Sequence, residues 1–234
     1  MGTARLDELL RRLTGERRVL LLGGLGVIAH GFSRATKNAD VWLEPMESSA
    51  HWAAFLARVC AEADGVTLAR LPHWMPVATE AEIAAAAEET GLVRVLGLEC
   101  PLDVFRRPNE LEEASFEEAW SRATPKAEGI YLPDALDLLQ SKMDTGRDSD
   151  LGDIAFLEKK IRRELGDRLA TATPEEARAI FARYTDHAVC ERALGNPHAE
   201  VRAQARELLA ELAAQGDWFS RDILARLDGG AAGQ

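Results

Sequence analysis

The chain lacks the features that mark several common classes of protein. No apolar run approaches the roughly 20 residues that cross a bilayer, so we expect no membrane partner. Its three cysteines (Cys60, Cys100 and Cys190) lie far apart, and its five histidines show no metal-ligand spacing. This pattern argues against a disulfide framework and a zinc site. Together with an N-terminal stretch that lacks a signal-peptide core, it predicts a cytoplasmic protein.

The chain also has no excess of basic residues. The sequence has 28 Lys and Arg against 39 Asp and Glu, which gives a formal net charge of −11 and an isoelectric point of about 5.0. Such a balance excludes a protein whose whole surface grips nucleic acid, although a local basic cleft is still compatible with it. The 234 residues can form one domain with a sizeable core or two small ones.

Strand and helix patterns alternate in the first part of the chain, whereas only helix patterns follow residue 132. Apolar alternation predicts strands over 18–22, 39–43, 66–71, 92–96, 101–105 and 129–132. Later segments with helical spacing cover 134–145, 150–165, 174–194, 199–214 and 218–227. We therefore predict an α/β (α+β) domain over 1–132, a C-terminal helical domain over 133–228 and a frayed tail over 229–234.

The most informative stretch covers residues 20–45 and reads LLLGGLGVIAHGFSRATKNADVWLEP. Gly23 and Gly24 end a strand and begin a helix, so their backbone N–H groups and the positive end of the helix dipole predict a phosphate cradle. Asn38 and Asp40 are two residues apart on the next strand, so their side chains project from the same face. A phosphate cradle beside paired oxygen ligands is what a nucleotide–magnesium complex requires.

This arrangement resembles the nucleotidyltransferase superfamily, whose signature is an apolar residue, Gly, Gly or Ser, a spacer and then Asp-x-Asp. The resemblance implies a mixed sheet flanked by helices. It also implies Mg²⁺-dependent transfer of a nucleoside monophosphate from an NTP to a hydroxyl of a tRNA, a protein or a small molecule. Asn38 and Asp40 are then expected to ligate the metal and take part in catalysis.

The superfamily also needs a third carboxylate on a neighbouring strand, and Asp103 matches it. It lies between Leu102 and Val104 in an apolar run, where an unpaired charge is costly. The resemblance makes Asp103 a second metal ligand and the general base toward the attacking hydroxyl. The alternative is a strand-edge aspartate that caps a turn.

Three basic residues are candidates for binding the nucleotide phosphates. Arg34 and Lys37 lie in the loop before Asn38, where they can neutralise triphosphate charge or remain solvated. Lys142 belongs to DALDLLQSKMDTGRDSDLGDIAFLE, which resembles a helical element of bacterial nucleotidyltransferase-like proteins linked to abortive infection and toxin–antitoxin systems. We expect Lys142 to reach a phosphate and Arg147 to pair with Asp150 between two helices.

Asn38 departs from the family pattern, because an amide brings no negative charge where the family has an aspartate. It is either a natural departure or the replacement of a native aspartate. Two hypotheses follow. The protein is a nucleotidyltransferase, impaired at Asn38, or it is a catalytically degenerate binding module that acts as an antitoxin or defence-system subunit beside a cognate partner protein.

Overall fold

The computed structural model describes residues 5–109, 111–112, 115–143 and 147–231. The chain divides into two compact units, residues 1–157 and residues 158–234. The first contains one mixed eight-stranded sheet with helices, and the second is helical over the residues described. The predicted fold class is confirmed. None of the helices in the described part of the chain is long and apolar enough to cross a membrane.

The strands of the sheet are not arranged in chain order. They are β1 (Val19–Leu21), β2 (Ala39–Leu43), β3 (Thr67–Arg70), β4 (Met75–Val77), β5 (Leu92–Leu96), β6 (Leu102–Phe105), β7 (Thr124–Ala127) and β8 (Ile130–Leu132). Their order across the sheet is β4-β3-β5-β6-β2-β1-β8-β7. β2 is parallel to β6, β1 is parallel to β8, and the other pairs are antiparallel. This order puts β2, buried along its whole length, between β1 and β6.

The sequence patterns locate six of these strands but miss β4 and β7. Both are short, both lie at an edge of the sheet, and they contain Pro76 and Pro125 respectively. Their side chains are mostly exposed, so they carry no apolar alternation for a pattern to detect.

Over its described residues, seven helices begin in the first unit. They are α1 (Leu6–Glu16), α2 (Gly23–Ala29), α3 (Ser49–Ala61), α4 (Glu80–Thr90), α5 (Ser115–Arg122), α6 (Ala135–Gln140) and α7 (Asp148–Leu169), the last of which continues into the second unit. Local capping explains several of their starts. Ser48 accepts a hydrogen bond from the His51 N–H, and Thr79 and Glu82 form a capping box.

The second unit contains α8 (Pro174–Arg183), α9 (His187–Ala193), α10 (Ala199–Ala214) and α11 (Trp218–Ala231). The single helix predicted over 174–194 is two helices. α8 ends at Arg183, and Asp186 caps the start of α9. The Asp186 carboxylate accepts hydrogen bonds from the Val189 N–H and from the Tyr184 hydroxyl.

The domain limits differ from those drawn from the sequence. The predicted boundary follows residue 132, whereas the compact units divide after Leu157. α6 belongs to the first unit, where Leu138 is fully buried and a Cβ at Gly26 would lie 3.2 Å from its side chain. The predicted tail over 229–234 is helical as far as Ala231, and residues 232–234 lie outside the described residues.

Candidate functional site

The site is built on two neighbouring parallel strands. Asp40 on β2 and Asp103 on β6 are register partners, so their side chains leave the same face of the sheet. The backbone N–H of Leu22 donates to the backbone oxygen of Asp40 at 2.8 Å, which ties the end of β1 to the start of β2. Asp40 and Asp103 are 8% and 5% exposed. Two carboxylates therefore meet in a nearly dehydrated position.

Asn38 joins the two carboxylates. Its Nδ2 donates to Asp40 Oδ1 and to Asp103 Oδ2, each at 3.0 Å. Because a carboxylate oxygen only accepts, the amide must present its N–H side rather than its carbonyl oxygen to both. Thr36 holds the loop in place by donating to the Asn38 backbone oxygen at 3.0 Å. The structure thus brings together the three residues that the sequence selects as metal ligands, with Asn38 acting as a donor.

Arg94 is the residue that sequence reasoning missed. It lies opposite Asp103 on β5, and its Nε and Nη2 donate to Asp103 Oδ1 and Oδ2 at 2.6 and 2.7 Å. The indole ring of Trp74 covers the guanidinium, with its centroid 3.6 Å from Arg94 Cζ. The sequence contains a signal for this ion pair, because an arginine inside the apolar strand LVRVL needs a buried counter-charge. Asp103 is consequently fully engaged by Arg94 and Asn38.

Burial and charge shift the ionisation of Asp40. Its pKa is raised to about 6, first because burial disfavours the charged form and second because of the negative charge of Asp103. The cationic groups of Lys142, Arg147 and Arg94 act in the opposite direction. A carboxyl group with a pKa near 6 is close to the range in which general bases operate.

The glycine corner leaves room for Asp40. Gly23 has a φ of 55°, and a Cβ there would lie 2.0 Å from Asp40 Oδ2. A Cβ at Gly24 would lie 2.7 Å from Thr36 Oγ1. A side chain at either position would therefore displace a neighbour. Both glycines line the adjoining cleft, where Gly23 is partly buried and Gly24 is buried.

A network of buried ion pairs borders the same cleft. Lys142 Nζ is 3.0 Å from Asp150 Oδ1 and 2.8 Å from Asp153 Oδ2, and Arg34 also pairs with Asp153. Lys142 and Asp153 are 5% and 1% exposed. Two of the predicted phosphate-binding cations, Lys142 and Arg34, are therefore bound to carboxylates. The pairing of Arg147 with Asp150 stays a prediction. Asp153 Oδ1 has no hydrogen-bond partner among the described residues.

The cleft is lined by both polar and apolar residues. The polar lining includes Gly23, Gly24, Arg34, Thr36, Asn38, Asp40, Asn109, Ser141, Lys142, Arg147 and Asp150, and the apolar lining is Leu22, Leu92, Phe105 and Pro108. Two predicted site residues are not part of this lining. Lys37 is exposed on its loop, and Asp103 lies behind Asn38 and Arg94. Asp103 is therefore a supporting residue in this arrangement, although the sequence predicts a reacting one.

The donor set does not fit the Mg²⁺ ion that the sequence predicts. Mg²⁺ demands near-octahedral oxygen coordination at about 2.0–2.1 Å. Here Asn38 offers N–H groups, and the oxygens of Asp103 accept from a guanidinium and an amide. Asp40 alone presents a carboxylate to the cleft without a cationic hydrogen-bond partner. Within the described ranges no cluster of three or more His, Cys, Asp or Glu is arranged to hold a metal ion.

Comparison with models of known protein families finds no match to this chain, and a search of curated proteins finds no similar sequence.

Proposed function

We propose that the first unit binds the phosphate chain of a nucleotide in this cleft and acts as a binding module of nucleotidyltransferase-like architecture. The observation that carries the proposal is the meeting, in one cleft, of a glycine corner and three cationic side chains (Arg34, Lys142 and Arg147). Backbone N–H groups and cations together are the groups that bind phosphate oxygens. The apolar residues that also line the cleft offer a surface for a base or a sugar.

The ion pairs of the cleft allow a phosphate group to take the place of a carboxylate as the partner of a cation. Its described side chains and their immediate partners include four carboxylates and four cations, namely Asp40, Asp103, Asp150, Asp153, Arg34, Arg94, Lys142 and Arg147. A phosphate can replace Asp150 or Asp153 as the partner of Lys142 and Arg34.

Two features favour binding over transfer. Asn38 contributes no charge, and the charge of Asp103 is cancelled by Arg94. Two-metal phosphoryl transfer relies on carboxylates that hold both ions, and each 1.4 kcal/mol of transition-state stabilisation that is lost lowers the rate about tenfold. Among the described residues of the cleft, Asp40 is the carboxylate without a cationic hydrogen-bond partner.

Calorimetric titration of ATP, GTP, CTP and UTP into the wild-type protein and Gly24→Val tests the proposal. We expect at least one nucleotide to bind the wild type and none to bind the variant, because a side chain at Gly24 occupies the space in front of Thr36 and Arg34. Gly15→Val is the matched control, since a Cβ at Gly15 on α1 meets nothing within 4 Å. Equal binding by all three proteins would refute the phosphate cleft.

One observation favours nucleotidyl transfer as the second candidate. The raised pKa of Asp40, about 6, suits a group that accepts a proton from an attacking hydroxyl. Incubation with α-³²P-labelled NTP, Mg²⁺ and candidate tRNA, protein or small-molecule acceptors would show a labelled product that Asp40→Asn does not form. A role as an antitoxin or defence-system subunit with a cognate partner remains a prediction from the sequence.

A further inference from the structure

The position of Arg94 suggests a function beyond cross-strand pairing. Its guanidinium approaches Asp103 with two parallel N–H donors at 2.6 and 2.7 Å, the fork geometry that holds a carboxylate most firmly. Asn38 donates to Asp103 Oδ2 as well. Both oxygens of Asp103 therefore accept hydrogen bonds from within the protein.

Trp74 secures the guanidinium from its other face. The ring centroid lies 3.6 Å from Arg94 Cζ, which is a close cation–π contact. Trp74 and the preceding His73 lie in the β3–β4 turn with φ values of 55° and 62°, in the left-handed region that non-glycine residues rarely adopt. A strained turn persists where its surroundings hold it, and here it places the indole on Arg94. We call Trp74, Arg94 and Asp103 the arginine clamp.

The arginine clamp changes which ions the cleft can accept. A divalent ion between Asp40 and Asp103 would have to displace the guanidinium from Asp103 or lie beside its positive charge in a poorly hydrated position. We infer that Arg94 is a built-in counter-cation that stands in for a divalent ion, so that ligand binding at this cleft does not require a metal. The nucleotide part of this inference rests on the proposed function.

Manganese alone is the probe for the first experiment, in which electron paramagnetic resonance measures free Mn²⁺ in the presence of the protein. Arg94→Met removes the charge and keeps an apolar stem against Trp74. We expect Arg94→Met to bind one Mn²⁺ per chain at least tenfold more tightly than the wild type. Arg70→Met is the matched control, because Arg70 is a partly exposed residue at the end of β3 that pairs with Glu89 at 3.7 Å. It should bind Mn²⁺ no better than the wild type.

A purely structural role of Arg94 would lower stability without creating metal affinity, so the Mn²⁺ measurement separates the two roles. Should Arg94→Met not fold, Arg94→Gln keeps one hydrogen bond to Asp103 and is expected to gain Mn²⁺ affinity in the same direction. Arg94→Met combined with Asp103→Asn should lose the gained site. Tight Mn²⁺ binding by the wild type, or no gain in the folded charge-removing variant, would overturn the inference.

The second experiment compares nucleotide affinity of the wild type in Mg²⁺ and in EDTA. We expect the two dissociation constants to agree within about threefold, whereas Arg94→Met should bind nucleotide at least tenfold better with Mg²⁺ than with EDTA. A wild type that needs Mg²⁺ would contradict the inference. A wild type that binds no nucleotide in either buffer would refute the proposed function, and the Mn²⁺ experiment would still decide the role of Arg94.

Discussion

The two units differ in what they bury. Among its described residues, the first buries seven charged side chains, which are Asp40, Asp103, Arg106, Asp137, Lys142, Asp150 and Asp153. In the second, the buried polar residues among those described are Asn196 and Ser220, both neutral. Burial of charge costs free energy unless partners compensate it, so it is concentrated where position or chemistry requires it. This contrast supports the proposal that the ligand cleft lies in the first unit.

The buried polar groups of the second unit serve its backbone. Asn196 donates to the backbone oxygens of Leu169 and Ala172 at 2.7 and 2.9 Å and accepts from the His198 N–H. Ser220 bonds to Asp217 at the start of α11. These contacts satisfy helix ends and the turns between them. In the first unit, by contrast, five of the seven buried charges that the structure describes belong to the cleft or to its immediate partners.

The largest expected effect comes from removing one partner of the buried ion-pair network. Lys142→Met leaves Asp150 and Asp153 without their shared cation, and we expect a loss of about 3–5 kcal/mol in the free energy of unfolding. Urea unfolding followed by tryptophan fluorescence measures it. The matched variant Lys160→Met breaks the pair with Glu164, whose carboxylate is exposed, and should cost less than about 1 kcal/mol. Similar losses in both would contradict the contrast between the units.

A smaller effect should follow from the corresponding change in the second unit. Asn196→Ala leaves two backbone oxygens and one N–H unsatisfied, for a loss of about 2–3 kcal/mol. Gln204→Ala on α10, a partly exposed amide, is the control and should be close to neutral. Nucleotide binding should be unchanged in both variants when they are folded. A selective loss of binding in Asn196→Ala would place function in the second unit as well.

The smallest effect depends on pH. The pKa of Asp40 is raised from 3.8 to about 6, so between these values the folded protein binds a proton that the unfolded chain does not. The contribution of Asp40 to stability is therefore present below about pH 4 and is lost as the pH rises through 6. Asp40→Asn should be more stable than the wild type by about 1–2 kcal/mol at pH 7 and equal to it near pH 4.

Melting temperatures across pH 4–8 measure this difference, with Asp64→Asn as the exposed control that should show no such trend. If the stability of Asp40→Asn relative to the wild type did not change over this range, the buried charge of Asp40 would not lower the stability of the folded protein. These melting temperatures also refine the comparison between the two units, because the difference between Asp40→Asn and the wild type reports on a carboxyl group of the first unit.

Local rules were sufficient for much of the fold. The limits of β2, β5 and α10 follow from the sequence patterns to the residue, because apolar period and helix propensity act within a few neighbours. The placement of Asn38 and Asp40 on one face is also local, since alternate residues of an extended chain point the same way. The short proline-containing edge strands could not be found in this manner.

The sequence by itself determined which side chains carry charge and which face of a strand or helix each one occupies. The tertiary structure decided how they pair. Asp103 could have faced a metal, yet the strand order β5-β6-β2 puts Arg94 on one side of it and Asn38 and Asp40 on the other. The interaction between two charges depends on their distance and on the exclusion of water around them, and both are set by strand order and packing.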